Sequence, residues 1–261
     1  MKDFNLDNCF INKRIIVTGA SRGLGAVVSQ ALAERGAKIV MLSRSKKKMD
    51  KLISGFKKPN NHMSISVDFI NIGKIKLAIK KAKKFLKKID IVIHVAGGGF
   101  GLKDDLIKNE DLNKLFQINL GAVAEINRLV VNSKKKRESL KLVHVGSIAS
   151  YEMTGSVGYN TVKSSLAAYV RSIGNKLYKN NVVATGVLPG GFISPGNAME
   201  RLKIKNKRAY RKFIKTRLPR KVMGNAEEIL SLILFLSSDY SSMMGGCLVP
   251  IDAGEGRSYQ I

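Results

Sequence analysis

The chain has 261 residues, 44% of them hydrophobic, and its formal net charge is +27 at pH 7. This length supports one sizeable hydrophobic core, so we predict a single domain over residues 1–261. The longest strongly apolar run, residues 229–236, is far shorter than the roughly 20 residues needed to cross a bilayer. The sequence therefore predicts a soluble protein without a membrane span.

The start of the chain and its cysteines indicate where the protein resides. Residues 1–14 lack the basic stretch and apolar stretch of a signal peptide. Cys9 and Cys247 are far apart, and neither belongs to a CxxC or Cys/His cluster. This usage suits a reducing compartment and argues against a disulfide framework or a zinc site. We expect a cytoplasmic protein that binds no metal.

The positive charge indicates either a lysine-rich surface on an ordinary enzyme or a surface for an acidic partner. Residues 71–90 show how it is arranged. Apolar residues recur there at three- and four-residue steps, at Ile72, Ile75, Ile79, Ala82, Leu86 and Ile89. Lysines fill the opposite arc, so this segment is predicted to be an amphipathic helix with a solvated basic face. Aromatic residues do not alternate with the basic ones, which makes a nucleic-acid partner the weaker hypothesis.

Short apolar runs alternate with helix-period segments along the whole chain. The predicted strands are residues 14–18, 38–42, 63–67, 90–95, 141–146, 182–188 and 247–251. The predicted helices are residues 23–35, 46–56, 72–88, 109–136, 157–179 and 226–236. This alternation predicts an α/β fold, a doubly wound parallel sheet of about seven strands with helices on both faces. Ligands of such sheets bind beyond the carboxyl ends of the strands.

Residues 190–219 interrupt this alternation and are too long for a plain connection. We predict a helical lid over the site. Its apolar residues are expected to form an inner wall, at Met199, Leu202, Ile204, Tyr210 and Phe213. Its basic residues are expected to face solvent or an anionic carrier, at Arg201, Lys203, Lys205, Lys207, Arg208, Arg211 and Lys212.

A glycine-rich turn, TGASRGLG at residues 18–25, follows the first predicted strand and opens a helix. Glycines permit a tight turn and a close approach of the backbone to a pyrophosphate, which free N–H groups and the helix N-terminus then bind. The spacing differs from the GxGxxG fingerprint and lacks the Lys-Ser/Thr end of a P-loop. A purely structural turn is the alternative.

A phenol and an ammonium lie four residues apart in GYNTVKSS, residues 158–165, and share a helical face. Ser147 precedes Tyr159 by twelve residues, at the end of a predicted strand. A nearby cation such as Lys163 stabilises a phenolate, and a serine hydroxyl can hold the substrate oxygen that becomes negative. Tyr159, Lys163 and Ser147 are thus candidate groups for proton donation to a carbonyl oxygen.

The order and spacing of these motifs resemble the short-chain dehydrogenase/reductase family over most of the chain, from Arg14 to Gly254. Three further segments support the resemblance: residues 92–97 stand where the family usually has Asn-Asn-Ala-Gly, residues 188–194 are similar to its PGxIxT segment, and residues 245–254 are like its ending. The resemblance implies a Rossmann-like fold and reduction of ketones or oxidation of secondary alcohols. It also implies that Asn119 kinks its helix and holds a water that links Lys163 to solvent.

The end of the second strand bears on the choice of cofactor. An acid there would bond the ribose of NAD, whereas this chain has Ser43 and Arg44. With Arg22 these groups can bind a 2′-phosphate, so we predict NADP(H) rather than NAD(H). The residues assigned to the cofactor, by this argument and by the resemblance, are Gly19, Ser21, Arg22, Gly23, Leu24, Gly25, Ser43, Arg44, Asp68, Phe69, Ala96, Gly97, Tyr159, Lys163, Pro189, Gly190, Phe192 and Ser194.

His94 departs from the family pattern, which more often has asparagine at this position. It is either a buried imidazole that supports the strand-to-loop turn or a contact that adjusts the pH response of the site. We do not name it catalytic.

The substrate is not marked by any unique polar residue. The basic lid fits the family's 3-oxoacyl-[acyl-carrier-protein] reductases, whose carrier is acidic. A sugar, polyol or nucleotide-sugar oxidoreductase is the alternative enzyme, and an NADPH-binding regulator is the non-enzymatic one. The resemblance also implies a homotetramer or homodimer, paired through the helices at residues 109–136 and 157–179.

Overall fold

The protein is described here by a computed structural model that covers residues 5–258. Its large sheet is built from β1 Arg14–Thr18, β2 Lys38–Ser43, β3 Met63–Ser66, β4 Ile91–His94, β5 Leu140–Val145, β6 Val182–Pro189 and β9 Leu248–Ile251. All seven strands are parallel, in the order β3-β2-β1-β4-β5-β6-β9. The order reverses between β1 and β4, which places a ligand crevice at their carboxyl ends. The predicted doubly wound sheet is confirmed.

The helices cover both faces of this sheet. They are α1 Gly23–Glu34, α2 Lys46–Ser54, α3 Ile72–Leu86, α4 Asn109–Phe116, α5 Ala122–Val131, α6 Val157–Leu177, α7 Ala198–Lys205, α8 Lys207–Arg217 and α9 Ala226–Ser237. In β1, Ile15 and Val17 belong to one core cluster and Ile16 belongs to the other. Successive side chains of a strand point to opposite faces, so a continuous apolar strand feeds two cores. Within residues 5–258, no helix is both long enough and apolar enough to span a membrane.

The predicted helix at residues 109–136 is divided and ends early. Helices α4 and α5 are joined by a π-helical turn, Gln117–Gly121, and α5 ends at Val131. The Nδ2 of Asn119 donates to the carbonyl of Leu115, 3.0 Å away, so a side chain enters the backbone ladder where the helix widens. The helix thus widens at Asn119, where the resemblance implies a kink. The ends of the other predicted elements shift by one or two residues.

The segment at residues 190–219 contains helices α7 and α8, as predicted. It begins with β7 Phe192–Ile193, which pairs with β8 Gly224–Asn225 in a separate small sheet. One expectation is wrong, because Ile204 is 72% exposed and does not belong to an inner wall. It lies on α7 between two exposed lysines, on the outer side of the helix.

Candidate active site

The glycine-rich turn is packed against the end of β4. Gly19 and Gly23 have φ values of +67° and +57°, which favour glycine. A Cβ on Gly19 would lie 2.8 Å from the Ala96 nitrogen, and a Cβ on Gly25 would overlap the Gly19 carbonyl. Helix α1 begins here without a side-chain cap within the described chain. Its first N–H groups are therefore available to an anion such as a pyrophosphate.

Thr18 joins the two strands that flank the crevice. Its Oγ1 accepts hydrogen bonds from the backbone nitrogens of Val95 and Ala96, each at 3.1 Å. Beyond them, a Cβ on Gly97 would lie 2.7 Å from the Asn119 Oδ1 and 3.5 Å from the Lys163 Nζ. The switch point of the sheet therefore brings predicted cofactor residues next to predicted catalytic ones.

The end of β2 contacts the glycine-rich turn through two hydroxyls. The Oγ of Ser43 donates to the Oγ of Ser21 at 2.8 Å. Arg44 is exposed beside them. The guanidinium of Arg22 lies against Gly196, where an added Cβ would overlap it. The structure thus brings Ser21 and Ser43 together, whereas Arg22 is directed toward the start of α7.

Two of the residues assigned to the cofactor have buried side chains. Leu24 is 5% exposed and Phe69 is 8% exposed, each within a core cluster. The carbonyl of Phe69 accepts a hydrogen bond from the Gln117 Nε2 at 3.1 Å. Asp68 is partly exposed, and its Oδ1 accepts from the Ile70 nitrogen at 3.2 Å. A contact from Leu24 or Phe69 to a nucleotide would therefore be made by the backbone.

Tyr159 lies on the first turn of α6 in a slot lined by glycines. A Cβ on Gly99 would be 3.4 Å from the ring, and a Cβ on Gly155 would be 2.6 Å from it. The side chain of Ser147, two residues after β5, faces the phenol closely enough to lower its pKa. Ser147 also accepts from the Ala149 nitrogen at 3.1 Å, which fixes its rotamer. Tyr159 and Ser147 can therefore contact the same substrate oxygen.

Burial governs the protonation of Tyr159 and Lys163 on α6. It raises the pKa of Tyr159, and the side chain of Ser147 acts in the opposite direction. Lys163 is 4% exposed, and burial lowers its pKa to about 8. Its Nζ is 5.7 Å from the Tyr159 ring centroid and donates to the Val145 carbonyl at 3.1 Å. In this structure desolvation outweighs the stabilisation of the phenolate expected from Lys163.

Asn119 ties the loop after β4 to the π-helical turn. It is 1% exposed; its Oδ1 accepts from the Gly98 nitrogen at 2.9 Å, and its Nδ2 donates to the Gly98 carbonyl at 3.0 Å. With its bond to Leu115, the amide is satisfied by backbone groups. Its water-holding role stays a prediction.

Residues 189–194 follow β6 on the other side of the crevice. The nitrogen of Gly190 donates to the Ile251 carbonyl at 3.2 Å. Ser194 is 6% exposed, and its Oγ would be 3.0 Å from a Cβ placed on Gly23. The structure therefore brings Ser194 next to the glycine-rich turn. The carbonyl of Phe192 accepts from the Asn197 Nδ2 at 2.8 Å, and Pro189 ends the strand.

His94 belongs to a buried polar network that the sequence did not reveal. Its Nε2 is 2.8 Å from the Oδ1 of Asn127, whose Nδ2 is 3.0 Å from the Nε2 of His144 and 3.3 Å from the hydroxyl of Tyr169. The Nδ1 of His144 is 2.9 Å from the Thr185 carbonyl. The two imidazoles stack with centroids 4.9 Å apart. We call His94, Asn127, His144 and Tyr169 the histidine network.

The hydrogen bonds of this network fit two neutral imidazoles. His144 donates to a carbonyl through Nδ1, so a neutral His144 accepts from the Asn127 Nδ2 through its Nε2, and the Asn127 Oδ1 then accepts from His94. Burial lowers the pKa of His94 to about 3 and that of His144 to about 4. Of the two alternatives for His94, the structure shows the buried imidazole, 2% exposed. The partnership with Asn127 had no signal in the sequence, because the packing of α5 against the sheet decides it.

Comparisons with known proteins agree with this geometry. Residues 13–204 match the short chain dehydrogenase family. The chain belongs to this family. It is 26% identical to the 3-oxoacyl-[acyl-carrier-protein] reductase FabG of Escherichia coli K12, over 94% of this chain and 98% of that protein. It is an NAD(P)-dependent oxidoreductase that acts on CH–OH groups.

Two solved structures share the fold at low sequence identity. L-sorbose reductase from Gluconobacter frateurii, complexed with NADPH and L-sorbose, has a TM-score of 0.88 at 19% identity, covering 97% of this chain and 99% of its own. A 7α-hydroxysteroid dehydrogenase complexed with NADH and a 7-oxo bile acid has a TM-score of 0.87 at 22% identity, covering 96% and 97%. One backbone arrangement thus serves both nicotinamide cofactors and unrelated substrates.

The residues present fit a dinucleotide. Gly19, Gly23 and Gly25 pack closely against Ala96, Ser194 and the turn itself, which keeps the backbone N–H groups at the start of α1 open to a pyrophosphate. Lys163 lies beside Tyr159, and Ser194 lies beside Gly23, where they would hold the nicotinamide part of the cofactor. Both are buried polar residues, at 4% and 6% exposure.

Proposed function

We propose that the protein interconverts a ketone and a secondary alcohol with NADP(H), with Tyr159 as the acid and base. The placement of Tyr159 beside the buried ammonium of Lys163, whose Nζ lies 5.7 Å from the ring centroid, is the observation that carries the proposal, and Ser147 faces the same phenol. When bound, the cofactor supplies or accepts the hydride. The side chains of the site supply the proton and fix the substrate oxygen.

In the reductive direction the carbonyl carbon gains a hydride and the oxygen gains a proton. Ser147 holds the oxygen by a hydrogen bond, and Tyr159 donates its hydroxyl proton to it. The raised pKa of Tyr159 keeps the phenol protonated near neutral pH until transfer. Lys163 then lies close enough to stabilise the phenolate that remains. Asn119 holds the Gly98 loop in place.

Several residues support NADP(H) over NAD(H). No acid follows β2, where Ser43 and the exposed Arg44 lie instead. An arginine at this place attracts a 2′-phosphate, and an acid would repel it. Arg22 is on the same turn, and its long side chain can leave Gly196 for the nucleotide. Asp68 faces the adenine side of the crevice in this proposal.

The substrate we favour is a 3-oxoacyl thioester on an acidic carrier. The E. coli relative carries that activity in its name. The surface of α7 and α8 carries exposed cations, and its one acid is Glu200. The exposed cations are Arg201, Lys203, Lys205, Lys207, Arg208, Arg211, Lys212 and Lys215. Such a surface attracts an acidic carrier protein and steers its approach.

A sugar or polyol is the second candidate, favoured by the fold shared with L-sorbose reductase. The deciding experiment is a screen of NADPH oxidation over acetoacetyl thioesters, keto sugars and small diketones. We expect turnover of the thioesters. A response to keto sugars alone would establish the second candidate, and binding of NADPH without turnover of any ketone would leave a regulator.

The remaining proposals concern assembly and location. We propose that residues 190–219 act as a lid within a single domain, that α4, α5 and α6 pair subunits into a homodimer or homotetramer, and that the protein works in the cytoplasm. The basic surface then meets its carrier in solution.

A further inference from the structure

The turn after β9, residues 252–258, contains a buried carboxylate that the reaction does not use. Glu255 is 3% exposed. Its Oε2 accepts a hydrogen bond from the Gly191 nitrogen at 2.5 Å, and its Oε1 lies 3.7 Å from the Nη2 of Arg217. Burial of a carboxylate is costly unless hydrogen bonds and a cation compensate it. These two partners therefore specify the position of Glu255.

Gly191 opens the segment that carries Ser194, which the proposed hydride transfer needs in place. Residues 190–194 run from the end of β6 to Ser194, beside the glycine-rich turn. A Cβ on Gly190 would be 2.8 Å from the Glu255 Oε2, and a Cβ on Gly191 would be 2.9 Å from the Phe213 ring. The peptide between these two glycines is thus enclosed by the C-terminal turn on one side and by α8 on the other.

Arg217 lies at the opposite end of the same segment, as the last residue of α8. Its Nη2 is buried and has no hydrogen-bond partner within residues 5–258. The Nη2 of Arg217 forms an ion pair with Glu255. One carboxylate therefore contacts both ends of the segment at residues 191–217. These two contacts offset the entropic cost of bringing the ends of that segment together.

The C-terminal turn is itself anchored to the loop that carries Ser147. The Oε1 of Glu152 accepts from the nitrogens of Arg257 and Ser258, at 2.6 and 2.5 Å. Asp252 folds the turn by accepting from the nitrogens of Gly254 and Gly256, at 3.0 and 2.9 Å. The turn thus connects the serine loop with both ends of the α7 and α8 segment.

We propose that Glu255 is a positioning residue, which fixes the two ends of the segment at residues 191–217 against the serine loop and so holds Ser194 and helices α7 and α8 over the site. The kinetic part of this proposal rests on the proposed function. The structural part does not, because it concerns which backbone Glu255 holds. Among the described residues, Glu255 bonds the Gly191 nitrogen and pairs with Arg217, and of the predicted cofactor residues it lies beside the backbone of Gly190.

The first test is hydrogen–deuterium exchange on the full chain, with and without NADPH. We expect Glu255→Ala to raise exchange about tenfold or more at residues 190–217, since a hydrogen bond to a charged group is worth roughly that much. Glu255→Gln keeps an acceptor for Gly191 and loses the ion pair, so its exchange at residues 190–217 should lie between that of the wild type and that of Glu255→Ala. The control is Glu227→Gln, an exposed acid on α9. Unchanged exchange at residues 190–217, or an equal rise in β1 and β4, would overturn the proposal.

Two further readouts separate positioning from general stability. The α7 and α8 segment is rich in arginine and lysine, so trypsin should cleave it faster in Glu255→Ala, and NADPH should protect it less than in the wild type. Arg217→Met should add little to Glu255→Gln, because both remove the same pair. Additive effects would refute the ion pair as the link.

The kinetic readout is a split between KM and kcat. Glu255→Ala should raise the Kd for NADPH and the KM about tenfold, with kcat at saturation nearly retained. A matching loss in kcat alone would contradict the positioning role. If the wild type fails to turn over any ketone, the proposed function fails, whereas exchange and trypsin cleavage still decide the role of Glu255.

Discussion

The candidate catalytic residues Tyr159, Lys163 and Ser147 share β5 with its loop and α6 with part of the histidine network. Burial lowers the pKa of the basic groups in both sets, with different outcomes. His144 lies three residues before Ser147 along β5 and its loop, and Tyr169 lies six residues after Lys163 on α6. Lys163 is buried yet keeps a pKa of about 8, so it carries its charge near neutral pH. The two histidines have pKa values of about 3 and 4 and are neutral.

The difference lies in where the polar atoms are directed. Tyr159, Lys163 and Ser147 lie at the carboxyl edge of the sheet, where glycines surround the Tyr159 ring. Asn127 bonds both histidines inside the protein. In the proposed function the buried polar groups at the carboxyl edge react, whereas those of the histidine network serve packing and registration.

The largest expected effect is the loss of the proton donor. Tyr159→Phe should lower kcat on any ketone substrate by about 10²–10⁴, the usual contribution of a general acid, and should retain NADPH binding. Stopped-flow oxidation of NADPH measures the first quantity and fluorescence titration the second. Tyr178→Phe, near the end of the same helix region and 46% exposed, is the matched control. Undiminished reduction by Tyr159→Phe would refute its assignment as the acid.

The second effect is on stability and comes from the histidine network. Asn127→Leu leaves the Nε2 atoms of both histidines and the Tyr169 hydroxyl without their bonds, so the free energy of unfolding should fall by about 2–4 kcal/mol. Urea unfolding measures it. Asn113→Leu, on the exposed face of α4, should change stability little. If the two variants unfold alike, the network contributes no specific stability.

The third effect is a pH dependence of the same network. Both histidines have folded-state pKa values below the ordinary 6.5, so their contribution to stability is fully present above pH 6.5 and is lost as pH falls toward 4 and then 3. Each histidine contributes up to about 1.4 kcal/mol per pH unit in that window. Unfolding should be measured between pH 7 and pH 5, where most carboxylates remain ionised.

The matched variant for this measurement is His94→Asn, which places the residue usual in the family beside Asn127. Its stability should decline less steeply with pH than that of the wild type. His62 also has a lowered pKa from burial, but it is present in both proteins and cancels. Equal slopes would show that His94 does not resist protonation.

The sequence predicted the sheet and the shared helical face of Tyr159 and Lys163, because both depend on residues that are close together in the chain. Apolar runs and helical periods identify strands and helices, and Tyr159 and Lys163 share a face by spacing alone. The family resemblance added Asn119, whose effect appears as the π-helical turn. These features are encoded within a few neighbouring residues.

The features that the sequence missed depend on distant pairings. His94 and His144 meet because β4 and β5 pair in the register that places them side by side. Glu255 meets Gly191 because the chain returns to the end of β6 after β9. Ile204 lies two residues after Leu202, on the other side of α7, so it does not share the inward face with Met199 and Leu202. Only the folded chain settles such contacts.

The smallest expected effect concerns the choice of cofactor and comes from Arg44, an exposed cation at the rim of the crevice. Arg44→Ala should lower the ratio of kcat/KM for NADPH over NADH by about tenfold, as expected for the loss of one charge-assisted hydrogen bond. Lys47→Ala, an exposed cation on the neighbouring helix α2, controls for the general field of the basic surface. Because salt screens exposed charges, the effect of Arg44→Ala should shrink as ionic strength rises, whereas that of Tyr159→Phe should not. A wild-type preference for NADH, or an equal loss in both lysine and arginine variants, would contradict a specific phosphate contact at Arg44.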